Sequence, residues 1–131
     1  GRLALSVFCQ LELCPAHAAV ARALESHNVD PAGIQVPYAF GDPVVLGDLV
    51  QGAGFRDISV IRKPMESRFA SPQSFVEALA VGGPPARHAL EQLDEAALKD
   101  VMAEVSKSLA DYVDADGFRV LTTANMVLAR I

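Results

Sequence analysis

A chain of 131 residues is one domain or a large part of one, and its 51% hydrophobic content, with mean hydropathy +0.27, supplies enough apolar surface for a packed core. The balance of 11 Lys+Arg against 16 Asp+Glu leaves a net charge of −5, which argues against a nucleic-acid surface, because affinity for phosphate comes from clustered basic charge. No stretch reaches the roughly 18 apolar residues of a membrane span, and two cysteines separated by four residues, Cys9 and Cys14, make no disulfide framework; they read as reduced thiols of a cytoplasmic protein.

Gly1-Arg2-Leu3-Ala4-Leu5-Ser6-Val7-Phe8 is a strand-like apolar run with no Met and no lead-in. Its composition suits a strand with a neighbour on each side, one of them expected to come from residues outside this chain. Gln10 and Glu12 interrupt the run, so it does not read as a signal peptide. Pro15 to about His27 is an Ala-rich helix, with Val20 and Leu24 four residues apart and Ala16, His17 and Ala21 beside them. Asn28 to Gly41 holds Asp30-Pro31, Gly33 and Pro37 and reads as a loop.

Asp42 as N-cap and Pro43 in the first turn open the next helix, with Leu46, Leu49, Val50 and Ala53 as its apolar face. Gly54 ends it, where a left-handed residue costs least. Asp57 to Phe69 is a long strand, with Ile58 and Val60 on one face. Pro64 and several charges place this strand at a sheet edge, and Arg56, Arg62, Lys63 and Arg68 read as a solvated face. Ser71-Pro72 starts a helix that buries Phe75, Val76 and Leu79, and Gly82-Gly83-Pro84-Pro85 stops it as a rigid hinge. A short helix follows, about Ala86 to Gln92. Asp94 caps the longest helix, to about Val113, with Leu98, Val101, Met102, Val105, Leu109 and Tyr112 on one continuous face. After the turn Asp114-Ala115-Asp116-Gly117, Phe118 to Ile131 is a strand apolar on both faces apart from Thr122, Thr123 and Asn125, hence central. Met102 and Leu128 are expected in the core.

No catalytic constellation stands out. Gly52-Ala53-Gly54 runs from helix to strand, the wrong direction for a phosphate loop. Cys9, Cys14, His17 and His27 fit no zinc spacing, and His88 stands alone. Asp114-Ala115-Asp116-Gly117 lacks the Glu that closes a calcium loop; Asn125 stands near that position. No Gly-x-Ser-x-Gly is present. Catalytic residues and metal ligands are therefore unassigned.

The order of elements is more informative. Gly1-Arg2-Leu3 leads into a strand, Phe40-Gly41-Asp42-Pro43 opens a helix with Leu46 and Leu49, Ala53-Gly54-Phe55 leads into Asp57-Ile58-Ser59-Val60, and Phe118 to Ile131 returns after a helical insertion at about 71–113. This order resembles the C-terminal half of class I S-adenosylmethionine-dependent methyltransferases of the small-molecule type. The resemblance covers essentially the whole chain. It implies an α/β fold: part of a Rossmann-like methyltransferase sheet, three-stranded and mixed, with the last strand central and antiparallel and helices packed on it. In that family a Gly-Gly-Arg-Leu-like turn leads into the fifth strand, a helix ending Ala-Gly-Phe leads into the sixth, and the seventh inserts between them.

The family's cofactor-binding Gly-rich loop and acidic residue have no counterpart among these residues. The resemblance thus implies S-adenosylmethionine for the parent enzyme and none bound to this fragment, which alone is expected to be inactive. It also implies a small-molecule acceptor near the carboxyl ends of the strands, with Phe8, Gln10 and Tyr38 as substrate-binding candidates. The alternative is a stand-alone, non-catalytic dimeric α+β module that binds a ligand or partner. Both readings expect the N-terminal strand to recruit a second copy or an exchanged element, giving a homodimer.

Overall fold

The computed structural model describes residues 1–131, and its sheet is built around the last strand. β4 (Gly117–Arg130) lies between β1 (Arg2–Phe8) and β2 (Arg56–Phe69) and is antiparallel to both. The short β3 (Val113–Asp114) folds back on the start of β4, pairing Val113 with Phe118. The fold is thus α/β with an open four-stranded sheet, and the expected three-stranded mixed sheet is corrected on two points. A fourth strand forms because the turn is tight enough for β3 to pair. The Asp114 carboxylate accepts from the Asp116 N–H at 2.8 Å, and Gly117 takes φ +109°. A Cβ at Gly117 would lie 2.5 Å from the Phe69 carbonyl oxygen, so only glycine fits. Every hydrogen-bonded pair is antiparallel, because β4 separates the two strands that share a direction.

The caps explain where the helices begin. α1 is Pro15–Ser26, α3 is Pro43–Gly52, α4 is Pro72–Gly82 and α6 is Glu95–Ser108. Asp42 accepts from the Val44 and Val45 N–H groups at 2.8 and 3.3 Å, Ser71 from Ser74 at 3.1 Å, and Asp94 from Ala97 at 2.8 Å. Each satisfies donors that the first helical turn leaves free. Gly54 adopts φ +91° just past α3. Pro64 sits on the outer strand and the ladder runs unbroken past it; the irregularity falls between Arg56 and Ser59, where Asp57 has φ 48°.

Three element expectations need correction. Asn28 to Gly41 is not a plain loop: α2 (Ala32–Gln35) and a 3-10 turn over Val36–Tyr38 form there, anchored by buried Ile34 and Tyr38. α5 (Pro84–Leu90) starts two residues earlier than expected, because Pro84 and Pro85 occupy a first turn whose N–H groups have no helical partner anyway. α6 stops at Ser108 and passes into a 3-10 turn at Ala110–Tyr112.

The sheet is covered on opposite faces at its two ends. Side chains alternate along β4, so Val127 and Ala129 face one way and Phe118 and Val120 the other. Leu46 and Val50 of α3 pack on Val127 and Ala129, with Leu3, Leu5, Ile58 and Val60 around them. Leu49, expected on the same face of α3, is 52% exposed. At the other end α1, α4, α5 and α6 bury Phe118 and Val120 in the main core, which includes Val20, Leu24, Phe75, Val101 and Val105. β4 is central in the sheet, but each face is covered over only part of its length. Leu128 is therefore 50% exposed and Met126 42%, which overturns the core placement of Leu128; Met102 packs against the core partly buried. No helix is long and apolar enough to cross a membrane.

Candidate functional site

A cavity of about 470 Å³ opens beyond the carboxyl end of β1, between the sheet and the helical layer. Its sheet side is one face of the pleat: Phe8 from β1, Ser67 and Phe69 from β2, Val120 and Thr122 from β4. His17 of α1 and Phe75, Ala78 and Leu79 of α4 form a wall, and Ile34 and Tyr38 close the far side. α2 and α5 can approach there because Gly33 has no side chain; a Cβ would lie 2.4 Å from the Pro85 carbonyl oxygen.

Tyr38 is held in place by a second close approach. Gly41 packs on the Cys9–Gln10 backbone, where a Cβ would lie 2.4 Å from backbone atoms. The buried Asn125 amide donates to the Gly41 carbonyl at 2.7 Å, and the Gly41 N–H donates to the Tyr38 carbonyl at 3.0 Å. These contacts tie the Tyr38–Gly41 turn to the end of β1.

The lining is aromatic. The Phe8 and Tyr38 rings lie 5.1 Å apart, Tyr38 and His17 5.6 Å, and His17 meets Phe75 edge-on at 5.0 Å. Phe75 in turn meets Phe69 at 5.4 Å. Burial lowers the His17 pKa to about 4, so the imidazole is neutral at pH 7, and its buried Nδ1 has no protein hydrogen-bond partner. Burial pushes the Tyr38 hydroxyl above its usual range, with the neighbouring Cys14 and Cys9 thiols adding to the shift. Burial likewise raises Cys14; both cysteines are buried and unpaired.

Of the three residues expected at a substrate surface, Phe8 and Tyr38 line this cavity. Gln10 does not: its Oε1 accepts from Arg62 Nη2 at 3.0 Å. By the alternation of β2, Arg62 points to the opposite face from Ser67 and Phe69. Sequence reasoning gave no site role to His17, Phe75, Ser67 or Thr122. His17 carried the one available signal, a polar ring beside Val20 and Leu24 on an apolar helix face. Cys9, Cys14, His17 and His27 do not gather into a metal-ligating cluster; His27 instead meets Glu104 at 3.2 Å, and His88 is exposed on α5.

Two junctions lead from a long strand into a helix, Cys9–Cys14 and Ala70–Ser71, and neither contains a glycine that would let backbone approach a nucleotide. At the second, Ser71 already occupies the cap. What the cavity can do is receive an apolar ring and offer it a few polar contacts. No protein-family model matches the chain, and no curated protein matches it.

Proposed function

We propose that this chain is the C-terminal, acceptor-binding part of an S-adenosylmethionine-dependent methyltransferase acting on a small molecule, and that the cavity receives the acceptor. The observation that carries this reading is the position of β4, antiparallel between β1 and β2. Class I methyltransferase sheets place their seventh strand in this way between the fifth and sixth, and Ala53-Gly54-Phe55 stands at the matching helix-to-strand junction. The Rossmann-like character of the parent sheet belongs to the same proposal. The cavity adds support, because open α/β sheets bind ligands outside the carboxyl ends of their strands. Phe8 and Tyr38 are the acceptor-contacting residues; Gln10 is left out, since Arg62 holds its amide on the other face. The cofactor side belongs to residues other than these, so the fragment alone is inactive. A cytoplasmic location goes with the reading, supported by two unpaired thiols. The coding sequence upstream of Gly1 tests the proposal: it should encode a strand, a Gly-x-Gly turn and a helix. Their absence would end it.

One observation favours the alternative, a non-catalytic dimeric α+β module: β1 has a partner on one side only. Cys9 donates its N–H to Thr123 and Gly1 accepts from Ile131. Odd-numbered residues of β1 therefore bond to β4, and the N–H groups of Ala4 and Ser6 point to the free edge. Such an edge is a template for another strand. In this reading a second copy fills it; in the methyltransferase reading the parent sheet does, or a second copy when the fragment stands alone.

A further inference from the structure

The walls of the cavity discriminate by chemistry. No Asp, Glu, Lys or Arg side chain lines it. A charged ligand would lose its hydration there without gaining a counter-charge. Phe8, Tyr38, His17, Phe75 and Phe69 instead follow one another at centroid separations of 5.0–5.6 Å. Tilted and edge-on rings at this spacing are the arrangement in which a further flat ring packs favourably. The polar side chains are few: His17 and Tyr38 on the helical side, and Ser67 and Thr122 on the sheet side. His17 Nδ1 is closed off from solvent without a protein partner, so the ring meets the cavity through its other atoms. The volume, about 470 Å³, lies within the roughly 300–1,000 Å³ of small-molecule sites.

We infer that the cavity takes a neutral, flat aromatic molecule carrying one hydrogen-bonding group, a phenol or an N–H heterocycle, with the ring among Phe8, Tyr38 and Phe75 and the polar group on the His17 imidazole. The inference deepens the acceptor-pocket reading and rests on it. Charge selects against carboxylates and amines; the imidazole selects for a ligand with a hydrogen bond to give or take.

Three probes of one shape test this on the purified protein at pH 7.5: a naphthol (neutral, hydroxylated), the matching naphthoate (anionic) and naphthalene. Calorimetry or ligand-observed NMR should show saturable naphthol binding, and naphthoate weaker by about tenfold or more. His17→Phe keeps the ring and removes both nitrogens. It should weaken naphthol about tenfold while leaving naphthalene unchanged. Ala78→Trp, at an exposed position on α4 that lines the cavity mouth, should weaken naphthol and naphthalene alike. The inference is overturned if naphthoate binds as tightly as naphthol, if Ala78→Trp leaves naphthol binding intact, if His17→Phe weakens naphthol and naphthalene equally, or if naphthol shows no saturation up to about 1 mM. No cofactor enters these titrations. An upstream sequence without a Gly-x-Gly unit would therefore sink the methyltransferase reading while leaving the naphthol-to-naphthoate ratio to be judged by itself.

Discussion

Burial holds the His17 imidazole uncharged down to about pH 4, whereas an unperturbed histidine protonates near 6.5. Below pH 6.5 the unfolded chain thus binds a proton that the folded chain refuses, and stability falls as pH drops through this interval, levelling off below about 4. The full loss is on the order of 3 kcal/mol. Tyr38, the titratable group packed against the ring, ionises far above this window and does not contribute. His17→Phe should remove the effect: urea midpoints of wild type and variant should diverge as pH falls from 7 to 4.5, with the variant the less acid-sensitive. Parallel pH profiles would show that His17 is solvated in the folded chain. The same residue marks the limit of sequence reading. Its place beside Val20 and Leu24 was legible, but the rings of Tyr38 and Phe75 reach it from segments 21 and 58 positions away. Helical spacing carries no record of such partners. Phe8 and Tyr38 were candidates through the family resemblance, which sets the segments after the first strand over its carboxyl end, whereas the tie between Gln10 and Arg62 depends on a register that pattern alone does not fix.

At the scale of elements, alternation along β4 gives adjacent residues opposite fates. Val127 is fully buried between Leu5 and Val60 beneath α3, while Leu128 is half exposed. Val127→Asp should cost several kcal/mol by leaving an unpaired carboxylate in an apolar layer. Leu128→Asp should cost less than about 1 kcal/mol. Urea melts of the two variants read the difference, and equal destabilisation would contradict the one-sided cover. The strand itself was plain from its composition. Which half of each face is covered was not, because an apolar residue pattern on both faces says nothing about where α3 stops and the helical layer begins. Capped helices were equally plain at Asp42, Ser71 and Asp94. α2 was not, since a helix of four residues has no periodicity and depends on the approach of Gly33 to Pro85. The free edge of β1 gives a further test. Ser6→Pro removes an outward N–H without touching the bonds to β4. If a second copy pairs along β1, sedimentation should show a dimer for the wild type and a monomer for this variant. A dimer that survives Ser6→Pro would place the contact elsewhere.

For the molecule as a whole, strand order is the property on which the proposed function rests. A last strand between two earlier ones was legible from the contrast between the charged β2, with its Pro64, and the apolar β4. The two-residue β3 was not, because it arises from the geometry of a turn. The same arrangement places an aromatic cavity without charged side chains beyond the end of β1, and neither junction from a long strand into a helix contains a glycine. The proposed function divides the labour: these residues would hold an acceptor, and other residues of a parent enzyme the methyl donor. Calorimetric titration of S-adenosylmethionine into residues 1–131 and into the protein encoded by the whole reading frame tests it most directly. The whole protein should bind saturably and the 131 residues should give no heat of binding. Submicromolar binding by the 131 residues alone would contradict the claim.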